Sequence, residues 1–461
     1  MNRILFFRNF FVCMYFLFAA SFVAIAQIEV SNLAGNDSGG SLIAAIKAAN
    51  ARSATPDSPV MIRFVGNLSG EIVLSMDLPA IENHISFVGN VDNNGKPTIT
   101  INGSVDPSIN EGIAGGISPG FGLFVLKSGI TVSIENLHLT KSNKSGIRNE
   151  GGTLTVQNCI FTYNLGIGSI HGTSGAIFNE NGNLTVIGSY FFYNTGGVGG
   201  TDGGEGYGGS GCIDVVNGNA VIINSSFIDN EGGFGGVGVG SIAGAGVMMV
   251  RDGNVSVVNS TIAGNFGGGS IVTGASGGFV LLGGNMSILQ STIVENRGGQ
   301  GIGGFGAIDF CSGGIHVLLG NLSLGGTILT GNFDGKNEAT DIESEISGEV
   351  RSLGNNLLGV ALVEFNATGD VSDVSMDAVI VTTPDGKHKV DVVSGFLPSV
   401  ALTANSPAKN KSVGFSNISP VSSNDANANF FANATNKYAS YLQTDQNGKQ
   451  RSANSSIGAV E

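Results

Sequence analysis

The chain has 461 residues, 41% hydrophobic and only 12% charged, with a formal net charge of −14. That hydrophobic share excludes a disordered chain. The 21 Lys and Arg against 35 Asp and Glu exclude partners read by clustered cations, nucleic acids and anionic polysaccharides among them.

Residues 1–26 carry Arg3 and Arg8, an apolar run over 10–20, and Ala24-Ile25-Ala26 before Gln27, which is the pattern of a secretory signal peptide. Cys13 is followed by Met14 and Tyr15 within the apolar run, which argues against lipoprotein cleavage there. The mature chain is expected to be exported, extracellular or at the cell surface, and two charge units more negative once the two arginines are removed. No later stretch offers 18 apolar residues free of charge and glycine clusters, so no transmembrane anchor is expected. Residues 27–65 predict a cap: a strand over 28–33, a turn over 35–40, and a helix over 41–51 with Ser41 as N-cap and Leu42, Ala45, Ile46 and Ala49 on one face. Residues 66–144 predict less regular coils, with strand-like runs at 70–74, 85–89, 98–101 and 130–134, a loop at 104–120, and Asn143 closing the last coil before the array.

From Ser145 to Asn332 one 20-residue phrase recurs six times, at 145–164, 175–194, 211–230, 246–265, 277–296 and 313–332. A fixed period of this kind marks a solenoid, in which no unit buries its apolar face alone. Aligned, the phrases give four apolar columns: Ile147, Ile177, Ile213, Met248, Phe279 and Ile315; Leu154, Leu184, Ala220, Val255, Met286 and Leu322; Val156, Val186, Ile222, Val257, Ile288 and Leu324; Phe161, Phe191, Phe227, Ile262, Ile293 and Leu329. The two-residue spacing of the middle columns is strand periodicity, so the fold class is all-β, a parallel β-helix. A closing Asn column (Asn164, Asn194, Asn230, Asn265, Asn296, Asn332) suits a buried amide ladder with Asn tolerating the left-handed turn. Sequons at Asn183 and Asn321 fall in the same ladder chemistry.

Between the phrases lie five insertions, 165–174, 195–210, 231–245, 266–276 and 297–312, all leaving at one corner. They are expected to stack as a second, glycine-rich wall, either flexible or held coil to coil, and insertions on one face are often the binding face. Tolerated surface expansion is the plainer alternative. After Asn332 the period breaks, and residues 333–461 form the C-terminal region.

The array is poor in the groups that chemistry needs. Its carboxylate candidates are Asp214, Asp229, Asp252 and Asp309; its histidines, His171 and His316, stand apart; and Arg251 and Arg297 are the basic residues from Glu150 to Asn332. Hydrolysis needs paired carboxylates, and elimination needs a carboxylate-bound calcium with a base. Asp214 and Asp229 are separated around the coil, and no Asn-Thr-Asp, Asp-Asp or Gly-His-Gly triplet of the polygalacturonase kind occurs. Gly196 to Asp202 approaches a calcium nonapeptide, but the period is not nine, so no metal or cofactor is expected. Cys159, Cys212 and Cys311 fall at different column positions and are read as small buried residues rather than a disulfide framework or a metal site.

Val30-Ser31-Asn32, Ser38 to Ile46, Ala49-Asn50 and Ile62-Arg63-Phe64 resemble the N-terminal segment of exported bacterial β-helix proteins with a Cys-Ser-Leu-Arg-Glu-Ala signature, although Gly40, Ile43 and Ala44 replace its Cys, Arg and Glu. Residues 328–332, 341–342, 353–359, 404–411, 445–451 and 457–461 resemble the choice-of-anchor Q domain at the end of such proteins, where it precedes varied surface anchors. No such anchor follows in these 461 residues. Phrases such as Gly175 to Asn179 and Ser260 to Asn265 resemble repeats of polymorphic outer-membrane proteins. The resemblance implies a right-handed, pectin-lyase-like β-helix and an adhesin-like, non-catalytic surface role. A polysaccharide lyase or hydrolase and a structural envelope protein are the alternatives. The partners expected are surface glycans or proteins of a host or neighbouring cell, bound by a monomer.

Overall fold

The computed structural model describes residues 27–104, 120–168, 170–200, 206–238, 240–270, 274–300, 311–335, 342–344, 349–360, 365–388, 390–391, 395–411, 428–451 and 456–459. The signal-peptide reading of 1–26, most of the predicted 104–120 loop and the candidate Asp309 lie outside them.

Each turn of chain visits three sheets. In one turn the strands are Ile147–Glu150 in sheet I, Thr153–Gln157 in sheet II and Ile160–Thr162 in sheet III. An insertion then leads back to sheet I at Ile177–Glu180. A full turn is therefore the 20-residue phrase plus the insertion after it. Sheets I, II and III hold eight, eleven and ten described strands, each bonded only to its counterparts one turn above and below. Parallel pairing with crossovers of the usual hand makes this a right-handed parallel β-helix.

The register reproduces the four columns. Ile177 pairs with Ile147 and Ile213, Leu184 with Leu154 and Ala220, Val186 with Val156 and Ile222, and Phe191 with Phe161 and Phe227. All of these side chains are buried. Phe161, Phe191 and Phe227 stack nearly face on, with ring centroids 4.7 and 4.6 Å apart, close to the rung spacing of about 4.8 Å.

The closing asparagines form a buried ladder. Each side-chain amide donates to the next Oδ1, from Asn164 to Asn194 at 2.9 Å and on through Asn230, Asn265 and Asn296 to Asn332 at 2.8 Å. Two expectations are corrected here. Left-handed backbone falls one residue before each Asn, at Tyr163, Tyr193, Asp229, Gly264, Glu295 and Gly331, because the corner bends there and the Asn side chain then points inward to staple it. The ladder is also preceded by Ser142 rather than Asn143, since Thr140 pairs with Thr162 and the Ser142 N–H donates to Asn164. A second, more exposed ladder runs through Asn183, Asn219, Asn254, Asn285 and Asn321 at the start of sheet II, so Asn183 and Asn321 are both ladder members.

The N-terminal helix α1 (Leu42–Asn50) closes the first turn. Ser41 Oγ accepts from the Ala44 N–H at 3.1 Å, and Leu42, Ile43, Ala45, Ile46 and Ala49 are buried. No described helix is long and apolar enough to cross a membrane.

Downstream of the first turns the outer faces are covered as well. Strands Thr131–Glu135 and Thr153–Gln157 alternate between buried and half-exposed residues, whereas Asn219–Ile223 is buried throughout. One more turn follows Asn332, through Ile342–Ser344, Glu349–Ser352 and Leu357–Leu358. The chain then folds back along the outside. Helix α2 (Ala428–Tyr438) sets Phe431, Ala434 and Tyr438 on Ile187, Val221, Ile223, Val258 and Leu289 of sheet II. Val379, Ile380, Val400, Ala408 and Ile457 cover Ile228, Ala263, Val294 and Ile328 of sheet III. Gln446 anchors this strap: its side chain donates to Ser226 Oγ at 2.6 Å and accepts from Thr261 Oγ1 at 2.5 Å.

Candidate functional site

Sheet I is covered by the glycine insertions. They leave through a ladder of single bridges, Leu165, Thr195, Glu231, Phe266, Arg297 and Phe333, and lie over the outward column of sheet I. Ala243, Ala245 and Ala275 pack on Met249 and Val280 there. The hydrogen bonds show how glycine is ordered. Gly196 and Gly199 donate to Glu231 and Phe234 of the next insertion, while Gly197 and Gly200 donate to Thr173 and Ile170 of the previous one. Gly232 and Gly235, with Gly233 and Gly236, repeat this scheme one turn on. Residues three apart thus face the same neighbour, which is the threefold period of polyproline II, a conformation whose backbone bonds all go outward. Thr173, Gly197, Gly209, Gly233, Gly244, Gly268, Ala275 and Gly299 form one unbroken donor–acceptor chain across the wall. A Cβ on Gly196 or Gly233 would lie 1.8 or 2.1 Å from a neighbouring carbonyl oxygen, so the close approach admits no side chain. Of the two expected states of the wall, the described residues adopt the stacked one.

The wall encloses several of the residues that chemistry would need. Asp214 is fully buried beneath it, accepts from Ser210, and pairs with Arg251 at 3.2 Å; burial raises its pKa against the pull of that guanidinium. His316 is buried in the same outward column, next to Val280. His171 stacks on Tyr207 at 4.9 Å and its Nδ1 accepts from the Tyr207 N–H. Asp252 holds a left-handed corner on the far side of sheet I. Cys159, Cys212 and Cys311 are buried and in no disulfide; burial pushes the Cys159 thiol up to about 12. Among the described residues no group of three or more His, Cys, Asp or Glu is placed to hold a metal.

Asp229 belongs to a different place. At the corner where sheet III meets the wall, a cleft of about 650 Å³ opens between the solenoid and a hairpin of the strap. Its solenoid side holds Tyr193, Asp229, Glu231 and Phe266, and its hairpin side Lys387 and His388. Gly264 explains the fit: on the rung between Asp229 and Glu295, its missing side chain leaves room for the His388 ring, and a Cβ there would lie 2.9 Å from His388 Cε1. The ring N–H and backbone N–H of His388 both lie 2.6 Å from Glu295 Oε2. Burial alone would raise the Glu295 pKa, but these bonds and the imidazole hold it below the usual value. Asp229 is pushed up by burial and by Glu295, with His388 opposing; Glu231 is pushed up by burial. Tyr163 and Tyr193 stack at 5.5 Å on the two rungs leading into the cleft.

Sequence reasoning found Asp229 but neither Glu231, Glu295 nor the hairpin. The signal for the hairpin was Pro384-Asp385-Gly386, a turn sequence that forces the chain to reverse. It does so here, with Thr382 bridging to His388 and the Thr383 N–H donating to Lys387.

Fold and site together define a right-handed parallel β-helix with a polyglycine outer layer and an adjoining mixed-charge cleft. No protein-family model matches the chain, and no curated protein does. Among solved structures, tailspike protein 3 of bacteriophage CBA120 is similar at 13% identity and a TM-score of 0.18, over 73% of this chain and 59% of its own. At that score the likeness carries no argument, and the architecture stands on its own strand register.

Proposed function

We propose that the protein is an exported, non-catalytic, adhesin-like scaffold of the type suggested by its N-terminal segment and choice-of-anchor Q-like end, and that the glycine wall is its contact face for surface glycans or proteins of neighbouring cells. The observation that carries the reading is the wall's continuous hydrogen-bond chain. Ordering glycine is entropically expensive, and a face ordered in advance loses little further freedom on binding. Ile170 and Val237 stand 57% and 51% exposed on that face, as apolar contacts on a rigid frame. The domain assignment draws support from the strap, where the separated C-terminal motifs meet: the Ile457 N–H donates to Ala408, the Gln446 N–H to Ala459, and Arg451 to Gly458.

The test is adhesion of secreted protein to glycan and cell-surface panels, comparing wild type with Ile170→Lys and Val237→Lys. The reading expects both variants to fold as wild type and to adhere more weakly to at least one surface ligand that wild type binds. Undiminished adhesion by both would overturn it. The polysaccharide-hydrolase alternative has one observation in its favour, the carboxylates Asp229 and Glu231 beside Lys387 and His388. Release of reducing ends from a neutral polysaccharide, lost in Asp229→Asn and Glu231→Gln, would establish it.

A further inference from the structure

We infer that the corner groove running from Tyr163 through the cleft to Phe266 is a second binding site, separate from the glycine wall, and that it takes an extended stretch of uncharged oligosaccharide. The β-helix itself builds the groove. Tyr163 and Tyr193 occupy the left-handed corner position on successive rungs, Asp229 the same position on the next, and Phe266 follows on the rung after that, in the bridge column with Glu231. Three rung steps span roughly 14 Å, a length that several linked sugar units cover and a single one does not.

The chemistry along the groove is that of a sugar's two kinds of surface. Tyr163, Tyr193 and Phe266 are 37%, 45% and 48% exposed, and among the described residues every other Phe and Tyr is buried or half-buried. Such rings offer flat apolar faces to the C–H faces of a pyranose. Between them, Asp229 and Glu231 offer acceptors to hydroxyls at a partly desolvated site, and Thr383, Lys387, His388 and Val390 line it from the hairpin. The carboxylates Asp229 and Glu231 share the cleft with the Lys387 ammonium, so neither a strongly anionic nor a strongly cationic chain is favoured. The overall charge of −14 opposes acidic glycans further. Pocket size agrees, since about 650 Å³ lies within the usual range for ligand sites.

Isothermal calorimetry of the full chain tests the inference, with hexasaccharides of glucose, xylose, mannose and N-acetylglucosamine as neutral probes and hexagalacturonate as the acidic one. At least one neutral series is expected to bind, with affinity rising from mono- to hexasaccharide and hexagalacturonate at least tenfold weaker. Tyr193→Ala and Phe266→Ala are each expected to weaken that binding about tenfold, and Asp229→Asn several-fold, while Tyr193→Phe, which keeps the ring, binds as wild type. The replaced rings are about half exposed and outside the axial core, so unfolding should stay cooperative with midpoints lowered only slightly. Ile170→Lys on the wall should leave oligosaccharide binding intact, which separates failure of this site from failure of the wall reading. Absence of heat for every neutral series at millimolar concentration would overturn the inference, as would equal binding of hexagalacturonate or affinities unchanged in both Tyr193→Ala and Phe266→Ala.

Discussion

Replacing Asn230 with Ala removes the centre of the buried ladder. Asn230 Oδ1 accepts both the backbone N–H and the side-chain amide of Asn194 at 3.0 Å, and its own amide donates to Phe191 O, Ile228 O and Asn265 Oδ1 at 3.1, 3.0 and 2.9 Å. Both asparagines are fully buried, so water cannot replace these partners. The Asn194 backbone N–H is stranded, while its amide keeps Phe161 O at 2.9 Å and Phe192 O at 3.4 Å, so at about 1–3 kcal/mol for a buried group left unsatisfied the loss is at least about 1–3 kcal/mol. Asn254, in the outer ladder, is the control. It donates to Asn219 Oδ1 at 3.2 Å and accepts from Asn285 at 2.8 Å, but it is partly exposed, so its truncation returns both partners toward water and costs about 1 kcal/mol or less. Urea unfolding followed by far-UV circular dichroism measures the difference. Equal destabilisation by the two substitutions would refute the reasoning, because it would mean that ladder membership rather than desolvation sets the energy.

Four further outcomes follow from named contacts. Gly233→Ala places a Cβ 2.1 Å from Gly197 O and is expected to cost at least about 3 kcal/mol, whereas Gly39→Ala meets nothing within 4 Å and should be near neutral; thermal melts compare them. Arg251→Ala leaves the buried Asp214 without its ion pair, an expected loss of about 3–5 kcal/mol, and restoring neutrality with Asp214→Asn should recover part of it. Glu295 has a folded-state pKa below its ordinary 4.5, so its contribution to holding the hairpin is present above that value and is lost as pH falls from it through the folded value. Proteolysis at the 383–388 turn should accelerate across that window in wild type, and Glu295→Gln should flatten the profile. Asp229 has the opposite sign, since burial raises its pKa and its charge opposes folding at neutral pH; Asp229→Asn should therefore raise the unfolding midpoint at pH 7 even as it weakens oligosaccharide binding.

The inward half of this fold was legible because period-two patterning fixes which side chains face the axis, and stacking then fixes their register. Leu154, Leu184 and Ala220 align in the structure as they do in the sequence. The outward half was not read, although it left a trace. Ala220 to Ile223 is an unbroken apolar run where a one-sided strand would alternate, and so it called for a cover. That cover, Phe431 and Tyr438, comes from more than 200 positions away, a distance over which spacing carries no information. The cleft was hidden for the same reason. Asp229 looked solitary because His388 and Lys387 reach it from the strap, and Glu295 joins it only through the stacking of rungs. The order of the wall was undetermined by composition, because it depends on donors three residues apart meeting partners in two different turns.

The central claim is that the glycine insertions form a fixed, hydrogen-bonded outer layer rather than loose loops. Hydrogen–deuterium exchange of peptides covering 196–200, 232–236 and 267–269 measures it directly. The structure predicts protection comparable to the strands Asn219–Ile223 and Gly253–Val258 beneath at Gly196, Gly197, Gly199, Gly200, Gly232, Gly233, Gly235, Gly236, Gly267 and Gly268, because the N–H groups of these glycines are bonded to adjacent insertions. Exchange of those glycine amides at the rate of an unstructured peptide, with the strands still protected, would contradict the account.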